Sequence, residues 1–126
     1  MAATILICDD DPEIRSAMKR TLRAYQVTET CSPREAMDVL KTSTFDGVIS
    51  DFSLGAEQDG LDLLQHVRVF YPGVVRFLVT GNQELDIAVR AVNEGAVHRY
   101  FQKPWDDEKL RIALEIVLHS RRASGE

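Results

Sequence analysis

The chain has 126 residues, of which 44% are hydrophobic and 28% are charged. This length and composition predict one globular domain with its own core, and they argue against two domains or wholesale disorder. The net charge of −5 argues against a general nucleic-acid surface, which needs a basic face. No apolar run approaches the roughly 20 residues that span a bilayer, and the start of the chain lacks a signal-peptide pattern. We therefore expect a cytoplasmic location, with Cys8 and Cys31 as small, buried, reduced thiols.

The first third of the chain contains two predicted strand–helix units. Thr4–Cys8 is a buried strand by its length and β-branched content, and Asp11-Pro12 starts a helix that runs to about Ala24. Val27–Cys31 mixes apolar and polar residues, which indicates an edge strand. Ser32–Glu35 then combines a capping box with proline at the first helical position.

The middle of the chain continues the alternation. Val48–Asp51 is a short apolar run that ends in a carboxylate, and continuous apolar strands are typical of buried parallel sheets. After a polar loop over 52–59, Gly60 opens a helix that Tyr71-Pro72-Gly73 ends. Val74–Val79 is the fourth predicted strand.

The last third completes the pattern. Asn82 can cap a fourth helix, which Gly95 closes, and Arg99–Gln102 is a fifth strand terminated by Lys103-Pro104. The last helix starts near Asp106-Asp107-Glu108. Strict alternation of five strands with five helices predicts a parallel sheet with helices on both faces.

Reactive side chains follow four of the predicted strands: Asp9-Asp10-Asp11, Asp51, Thr80 and Lys103. In open α/β sheets the carboxyl ends of the strands form the binding edge. Three close carboxylates repel one another unless a cation lies among them, and an all-oxygen ligand set favours Mg²⁺. The alternative is an acid cluster without metal, in which Asp11 caps a helix and its neighbours are solvated or have raised pKa values.

Lys103 and Thr80 each have an ordinary and a chemical interpretation. Lys103 is either a solvated strand-end residue or a point charge for a phosphoryl oxygen. Thr80 is either the last residue of a β-branched strand or, with the N–H of Gly81, a donor to an oxyanion. Taken together with Asp51, these groups supply what aspartyl-phosphate formation needs: a nucleophile, a metal site, a cation and a hydroxyl donor.

Five ordered segments carry a resemblance to a known family: 5–12, 48–51, 59–64, 77–81 and 100–105. Over essentially its whole length the sequence resembles the receiver domain of two-component response regulators, of the chemotaxis-regulator type. The resemblance implies a flavodoxin-like (βα)5 three-layer sandwich with strand order 2-1-3-4-5. It assigns residues 1–120 to the receiver domain and 121–126 to a tail or the start of a linker to an output domain.

The resemblance also implies roles for the residues of the site. Asp51 accepts a phosphoryl group, and Asp10 and Asp51 bind Mg²⁺ directly together with the backbone carbonyl of Ser53, while Asp9 acts largely through water. Lys103 contacts the phosphoryl group.

The same resemblance implies a switch and a control of phosphoryl lifetime. Thr80 bonds to the phosphoryl group, and Tyr100 follows it as the switch aromatic; the bland alternative for Tyr100 is a half-buried edge tyrosine. Ser53 and Asn82 flank the path of hydrolytic water and tune autodephosphorylation. The loop over 52–59 is one residue longer than is usual in the family, with Gly55 where proline is common.

The implied partners are a sensor histidine kinase or a histidine phosphotransfer protein. A C-terminal output domain and a homodimer through the fourth helix, fifth strand and fifth helix are the other partners to expect, with no direct nucleic-acid or membrane binding. The protein would be a signalling domain, an enzyme only toward its own phosphorylation and dephosphorylation. The stretch from Glu94 to Trp105 resembles receivers attached to HD-type phosphodiesterases or to activators of the nitrogen-regulation type.

Several other side chains receive ordinary assignments. Arg90, Glu94, His98 and Arg99 are expected on or near the output face. His66 and His98 are expected to be surface residues and not metal ligands, and Trp105 has no assigned chemical role.

Three other functions compete with the receiver hypothesis. A flavin- or nucleotide-binding protein would need a glycine- or hydroxyl-rich phosphate loop after the first strand, where this chain has three carboxylates. An aspartate-nucleophile phosphatase usually has a second acid two residues after the nucleophile, where this chain has Ser53. An interaction module that is never phosphorylated would not need Asp9, Asp10, Asp51, Thr80 and Lys103 together.

Overall fold

A computed structural model describes residues 2–53 and 59–123 of the chain. Within these residues five strands alternate with five α-helices, and one 3₁₀ turn precedes the fourth helix. In chain order the elements are β1 (Thr4–Cys8), α1 (Pro12–Thr21), β2 (Gln26–Thr30), α2 (Pro33–Thr42), β3 (Gly47–Asp51), α3 (Gly60–Phe70), β4 (Val75–Thr80), the 3₁₀ turn (Asn82–Glu84), α4 (Leu85–Asn93), β5 (Arg99–Gln102) and α5 (Asp107–Ala123).

The five strands form one parallel sheet in the order β2-β1-β3-β4-β5. This is the predicted flavodoxin-like (βα)5 arrangement, and it is confirmed. β3 and β4 are buried along their whole length because they have a strand on each side and helices on both faces. β2 is the edge strand that its mixed sequence predicted.

The sheet separates two hydrophobic layers, since successive side chains of a strand point to opposite faces. On β1, Leu6 and Cys8 pack with α2, α3 and α4, whereas Ile5 and Ile7 pack with α1 and α5. Each helix buries one apolar stripe and leaves its other face exposed. The result is the three-layer sandwich that brings all the strand ends to one edge.

The helix starts follow the predicted capping chemistry. The side chain of Asp11 accepts from the N–H of Glu13, and Ser32 accepts from the N–H of Glu35, in each case with proline at the first helical position. Asp59 begins α3 through a reciprocal capping box with Asp62. These local bonds fix where the chain turns back from each strand end.

Some predicted boundaries were wrong. α1 ends at Thr21 and not near Ala24, because the backbone of its C-cap Leu22 leaves the helical conformation, with φ −98° and ψ 25°. β2 and β4 are each displaced by one residue from the prediction, which reflects how the neighbouring strands set the register.

The later helices also differ from the prediction. Asn82 does not cap α4: it opens the 3₁₀ turn, and α4 begins at Leu85 without a side-chain cap. Gly95 closes α4 as predicted, with a φ of 81° that suits glycine. α5 continues to Ala123, three residues beyond the expected end of the domain at 120.

Two properties of the surface bear on the sequence predictions. Cys8 is buried, but Cys31 is exposed, because it lies just beyond the end of β2; both are free thiols. Among the described helices, none has the length and hydrophobicity needed to cross a membrane.

Candidate functional site: an acidic edge with a lysine

Three carboxylates meet at the carboxyl ends of two neighbouring strands. Asp9 and Asp10 follow β1, and Asp51 ends β3. Each offers one oxygen, and these three oxygens lie within 4.8 Å of one another. Asp9 and Asp51 are buried while Asp10 is exposed, so the cluster is open to solvent on one side. An all-oxygen set with one open side fits a hard dication that keeps part of its water, as Mg²⁺ does.

The orientation of Asp9 is fixed by its neighbours. Its Oδ1 accepts from the N–H of Asp11 at 2.9 Å, and its backbone carbonyl accepts from Arg15 Nη1 at 2.7 Å. Arg15 is itself paired with Glu29 on β2 at 3.3 Å. Sequence analysis missed Arg15, whose one local signal is its place one helical turn after the Asp11 cap.

Lys103 reaches into the cluster from the end of β5. Its Nζ lies 2.8 Å from Asp51 Oδ1 and 3.2 Å from Asp9 Oδ2. Its backbone N–H donates to Thr80 O at 2.8 Å, which fixes the root of the side chain against β4. The peptide bond before Pro104 is cis.

The electrostatics of the cluster favour a cation. Burial raises the pKa of Asp51, and the nearby charges of Asp9 and Asp10 raise it further, against the bond from Lys103, which lowers it. Burial opposes the charge of Lys103, yet the attraction of Asp51 and Asp9 outweighs it and leaves the pKa of the ammonium raised. One ammonium therefore does not offset the charge of three carboxylates, and a dication would relieve the remaining repulsion.

Thr80 lies fully buried at the end of β4, the neighbour of β3. Its hydroxyl donates to the carbonyl of Gly81 at 3.2 Å. β4 and β3 run in parallel with Val79 beside Asp51, so Thr80 is one residue further along toward the acidic edge. The predicted donors, Thr80 and Gly81, are thus brought to the same edge as the carboxylates.

Tyr100 lies on the face of the sheet that Thr80 also faces. It pairs with Leu78 in the strand register and packs, half-buried, on the cluster that contains Leu78. Leu78 and Thr80 are two residues apart on β4, so their side chains point the same way. The arrangement is compatible with a coupling between the threonine and the ring, and the switch itself stays a prediction.

Comparison with known proteins decides the family. A family model described as "Response regulator receiver domain" matches residues 5–115. The chain belongs to the response regulator receiver domain family.

Relatives of this receiver domain are longer proteins. It is 32% identical over 120 residues to the transcriptional regulatory protein ZraR of Klebsiella oxytoca, covering 93% of the receiver and 27% of the relative. It is 34% identical over 116 residues to the DNA-binding transcriptional regulator NtrC of Klebsiella pneumoniae, and the match covers 90% of the receiver and 24% of that relative. The chain thus spans about a quarter of the length of these relatives.

A solved structure shows the same fold. The signal receiver domain of an HD domain-containing protein from Pseudomonas fluorescens Pf-5 superposes with a TM-score of 0.88 at 31% identity, covering 98% of this chain and 91% of that one. Family membership favours the receiver hypothesis over the flavin-binding and phosphatase-like alternatives.

The structure says less about the two other predicted site residues, Ser53 and Asn82. Ser53 is exposed, two residues beyond Asp51. Asn82 opens the 3₁₀ turn just after Gly81, but its side chain is outside the description, as are residues 54–58 of the long loop. The role of Ser53 as a metal ligand, and of Ser53 and Asn82 in hydrolysis, stays a prediction.

Gly60 has a role at the receiver site that sequence analysis missed. A Cβ on this residue would lie 1.7 Å from the carbonyl oxygen of Asp51. The N–H of Gly60 donates to Phe52 O at 2.8 Å, which brings the start of α3 directly against the end of β3. The Asp59-Gly60 pair in the sequence was the signal, since glycine is favoured where backbones approach closely.

His98 is not the surface residue that the sequence indicated. It is half-buried, and its Nδ1 accepts from the backbone N–H of Arg76 at 3.0 Å. Arg76, in turn, is buried on β4 and donates to backbone carbonyls, including Ala96 O at 2.8 Å. The pair lies near the start of β4, away from the acidic edge.

Proposed function

We propose that Asp51 accepts a phosphoryl group from the phosphohistidine of a sensor histidine kinase or a histidine phosphotransfer protein. A carboxylate oxygen of Asp51 attacks phosphorus, the phosphorus–nitrogen bond breaks, and the imidazole leaves with the bonding pair and gains a proton. The observation that carries the proposal is the contact of Lys103 Nζ with Asp51 Oδ1 at 2.8 Å beside the carboxylates of Asp9 and Asp10.

The roles of the surrounding residues follow from charge and reach. Asp10 and Asp51, with the carbonyl of Ser53, would hold Mg²⁺ directly, and Asp9 largely through water. The bound ion would neutralise charge on the phosphoryl oxygens.

The protein's own donors would complete the binding of the phosphoryl group. Lys103 moves from pairing with Asp51 to contacting a phosphoryl oxygen, and Thr80 with the N–H of Gly81 donates to another. Movement of Thr80 lets the ring of Tyr100 follow, which changes the surface formed by α4, β5 and α5.

The test is mass spectrometry after incubation with acetyl phosphate and Mg²⁺. We expect one phosphate adduct on the wild type, none on Asp51→Asn, and loss of the adduct when a chelator removes the metal. Asp38→Asn is the matched control, because Asp38 is an exposed aspartate on α2 whose ion pair with Lys41 is 3.8 Å long. An adduct that persists in Asp51→Asn would refute the assignment.

Lys103→Met separates the cation's role from that of the metal site. The ammonium competes with a dication for Asp9 and Asp51, so its removal should tighten Mg²⁺ binding while the rate of adduct formation falls. Calorimetric titration with Mg²⁺, beside the adduct assay, measures both. Weaker Mg²⁺ binding in this variant would contradict the proposed division of roles.

Lifetime, partners and location complete the proposal. Ser53 and Asn82 tune autodephosphorylation, and a double substitution that leaves the hydrolysis rate unchanged would refute this. Outside its own phosphorylation and dephosphorylation the domain would catalyse nothing, act in the cytoplasm, and bind neither nucleic acid nor membrane directly.

The output is proposed from the relatives alone. Regulators named as transcriptional or DNA-binding proteins match this chain over the receiver part, and an HD domain-containing protein supplies a close fold. A C-terminal output domain of one of these kinds, and a homodimer through α4, β5 and α5, are the partners that we propose.

A further inference from the structure

A buried polar group ties the turn that carries Lys103 to α1. Trp105 Nε1 donates to the hydroxyl oxygen of Thr21, the last residue of α1, at 2.9 Å. The same oxygen lies 2.5 Å from Oδ1 of Asp107, the first residue of α5. Thr21 is only 1% exposed, so water has little access to replace it.

The three partners need a hydroxyl between them. An indole nitrogen can only donate a hydrogen bond and a carboxylate can only accept one, whereas a hydroxyl does both. The carbonyl of Ala17 lies 3.1 Å from the hydroxyl as a second acceptor, but the carboxylate is closer and charged, so it takes the hydrogen. The order of donation is therefore from Trp105 to Thr21 to Asp107.

Two hydrogen bonds hold the backbone around Lys103. In the first, the N–H of Lys103 donates to Thr80 O. In the second, the indole N–H of Trp105, two residues later, donates to the hydroxyl of Thr21. A lysine side chain is long and has many rotamers, so the position of its ammonium depends on how firmly its backbone is held.

We propose that Thr21 is a positioning residue for phosphoryl transfer, which holds Trp105 and thereby sets Lys103 at Asp51. The inference rests on the proposed function of Lys103, although Thr21 itself touches none of the reacting atoms. The bland alternative is that Thr21 only strengthens the packing of α1 on α5.

The test compares Thr21→Val with Thr21→Ser and with a control that removes another hydrogen bond to α5. Tyr25→Phe is this control, because Tyr25 lies between α1 and β2 and its hydroxyl donates to Glu115 on α5. We expect Thr21→Val to lower the rate of adduct formation from acetyl phosphate by about tenfold at saturating Mg²⁺, the scale of a small misplacement of a catalytic group. Thr21→Ser should restore the rate to within about twofold, and Tyr25→Phe should leave it unchanged.

A double-mutant cycle identifies the path. Trp105→Phe keeps a partly buried aromatic ring against the core and removes the donor, so it also serves if Thr21→Val does not fold. If Thr21 acts through Trp105, the double variant is no slower than the slower single variant. Additive losses would show separate effects and overturn the proposal.

Amide hydrogen exchange gives a readout that does not need phosphorylation. In Thr21→Val the amide of Lys103 should exchange faster than in the wild type, with no such change in Tyr25→Phe. If the Lys103 amide exchanges faster in Thr21→Val but the wild type forms no phosphate adduct, the positioning role of Thr21 stands and the proposed function is refuted. Unchanged exchange of the Lys103 amide, or equal slowing of adduct formation in Thr21→Val and Tyr25→Phe, would overturn the positioning role.

Discussion

At the scale of single residues, the burial of Asp51 among other carboxylates has a cost to the fold. Its carboxylate is buried beside two others, and burial together with their charge holds its pKa above the ordinary value of 3.8 despite the bond from Lys103. The folded protein therefore retains this proton to higher pH than the unfolded chain does. As the pH rises through the interval above 3.8, ionisation of Asp51 removes stability from the metal-free protein.

We therefore predict that Asp51→Asn stabilises the metal-free protein at pH 8. Lys103 keeps Asp9 as a partner, at 3.2 Å, so the variant loses one ion pair but also one buried charge. The melting temperature should rise by about 3 °C, and the gain should shrink as the pH falls toward 3.8. Thermal melts between pH 8 and 5, with Asp38→Asn as control, measure it; a lower melting temperature at every pH would contradict the argument.

His98 is predicted to remain neutral near neutral pH. Burial, followed by the charges of Arg76 and Arg121, lowers its pKa from 6.5 to about 4. A base with a lowered pKa leaves the folded state short of protons between these values, so stability is present above pH 6.5 and lost as the pH falls toward 4. Imidazole NMR signals of His98 should not shift between pH 8 and 6.

His98→Asn tests the same linkage through stability. Asparagine can still accept from the Arg76 N–H but does not titrate, so the loss of stability between pH 6.5 and 4 should be smaller than in the wild type. His119→Asn, at an exposed position on α5, is the control. Equal pH profiles for wild type and His98→Asn would refute the prediction.

At the scale of elements, α3 starts where it does because Gly60 has no side chain. We predict that Gly60→Ala costs about 3 kcal/mol or more of unfolding free energy, because its Cβ would overlap the carbonyl of Asp51. Adduct formation should fall as well, since the end of β3 must shift. Gly73→Ala is the control, because no heavy atom beyond its chain neighbours lies within 4 Å of its Cβ position.

Denaturant melts of the two glycine variants measure the difference. Gly73→Ala should change the unfolding free energy by less than about 0.5 kcal/mol, as is usual for open surface positions. Similar losses in both variants would show that the close approach at Asp51 is not what requires glycine.

Local sequence signals located the elements but not all of their ends. Caps at Asp11 and Ser32 with following prolines gave two helix starts, because the bonds that form them are only two or three residues apart. The helix predicted at Asn82 began three residues late, since a 3₁₀ turn without a side-chain cap precedes it. The environment of His98 was likewise hidden, because its partner Arg76 is 22 residues away.

At the scale of the whole molecule, alternation predicted the layered α/β class, and the resemblance supplied the strand order. The meeting of Asp9, Asp10, Asp51, Thr80 and Lys103 followed from that topology. The topology could not predict individual side-chain contacts, such as that of Trp105 with Thr21, 84 residues apart, or that of Arg15 with Glu29. Such pairs depend on how helices sit on the sheet, which no local pattern encodes.

The α4, β5 and α5 face offers apolar side chains to a second copy. Ile112 and Ile116, four residues apart and therefore on one side of α5, are exposed, the latter at 62%. We predict that a phosphorylation-dependent dimer forms there, and that Ile116→Lys raises its dissociation constant by about tenfold or more, since one buried isoleucine contributes roughly 1.5–3 kcal/mol.

Sedimentation equilibrium with and without acetyl phosphate measures this dimer. Val69→Lys is the matched control, because Val69 is a similarly exposed apolar residue, at 69%, on α3 and off the proposed face. A phosphorylated wild type that stays monomeric, or equal weakening by both lysines, would contradict the proposed interface.

Trp105 is the only tryptophan in the sequence, and it lies two residues from Lys103. Its indole N–H is held by a buried hydroxyl, so its emission depends on how that small turn is arranged. The molecule thus contains an intrinsic optical label beside its charged edge. The tryptophan fluorescence of the unlabelled protein should therefore change whenever a ligand at that edge displaces the side chain of Lys103.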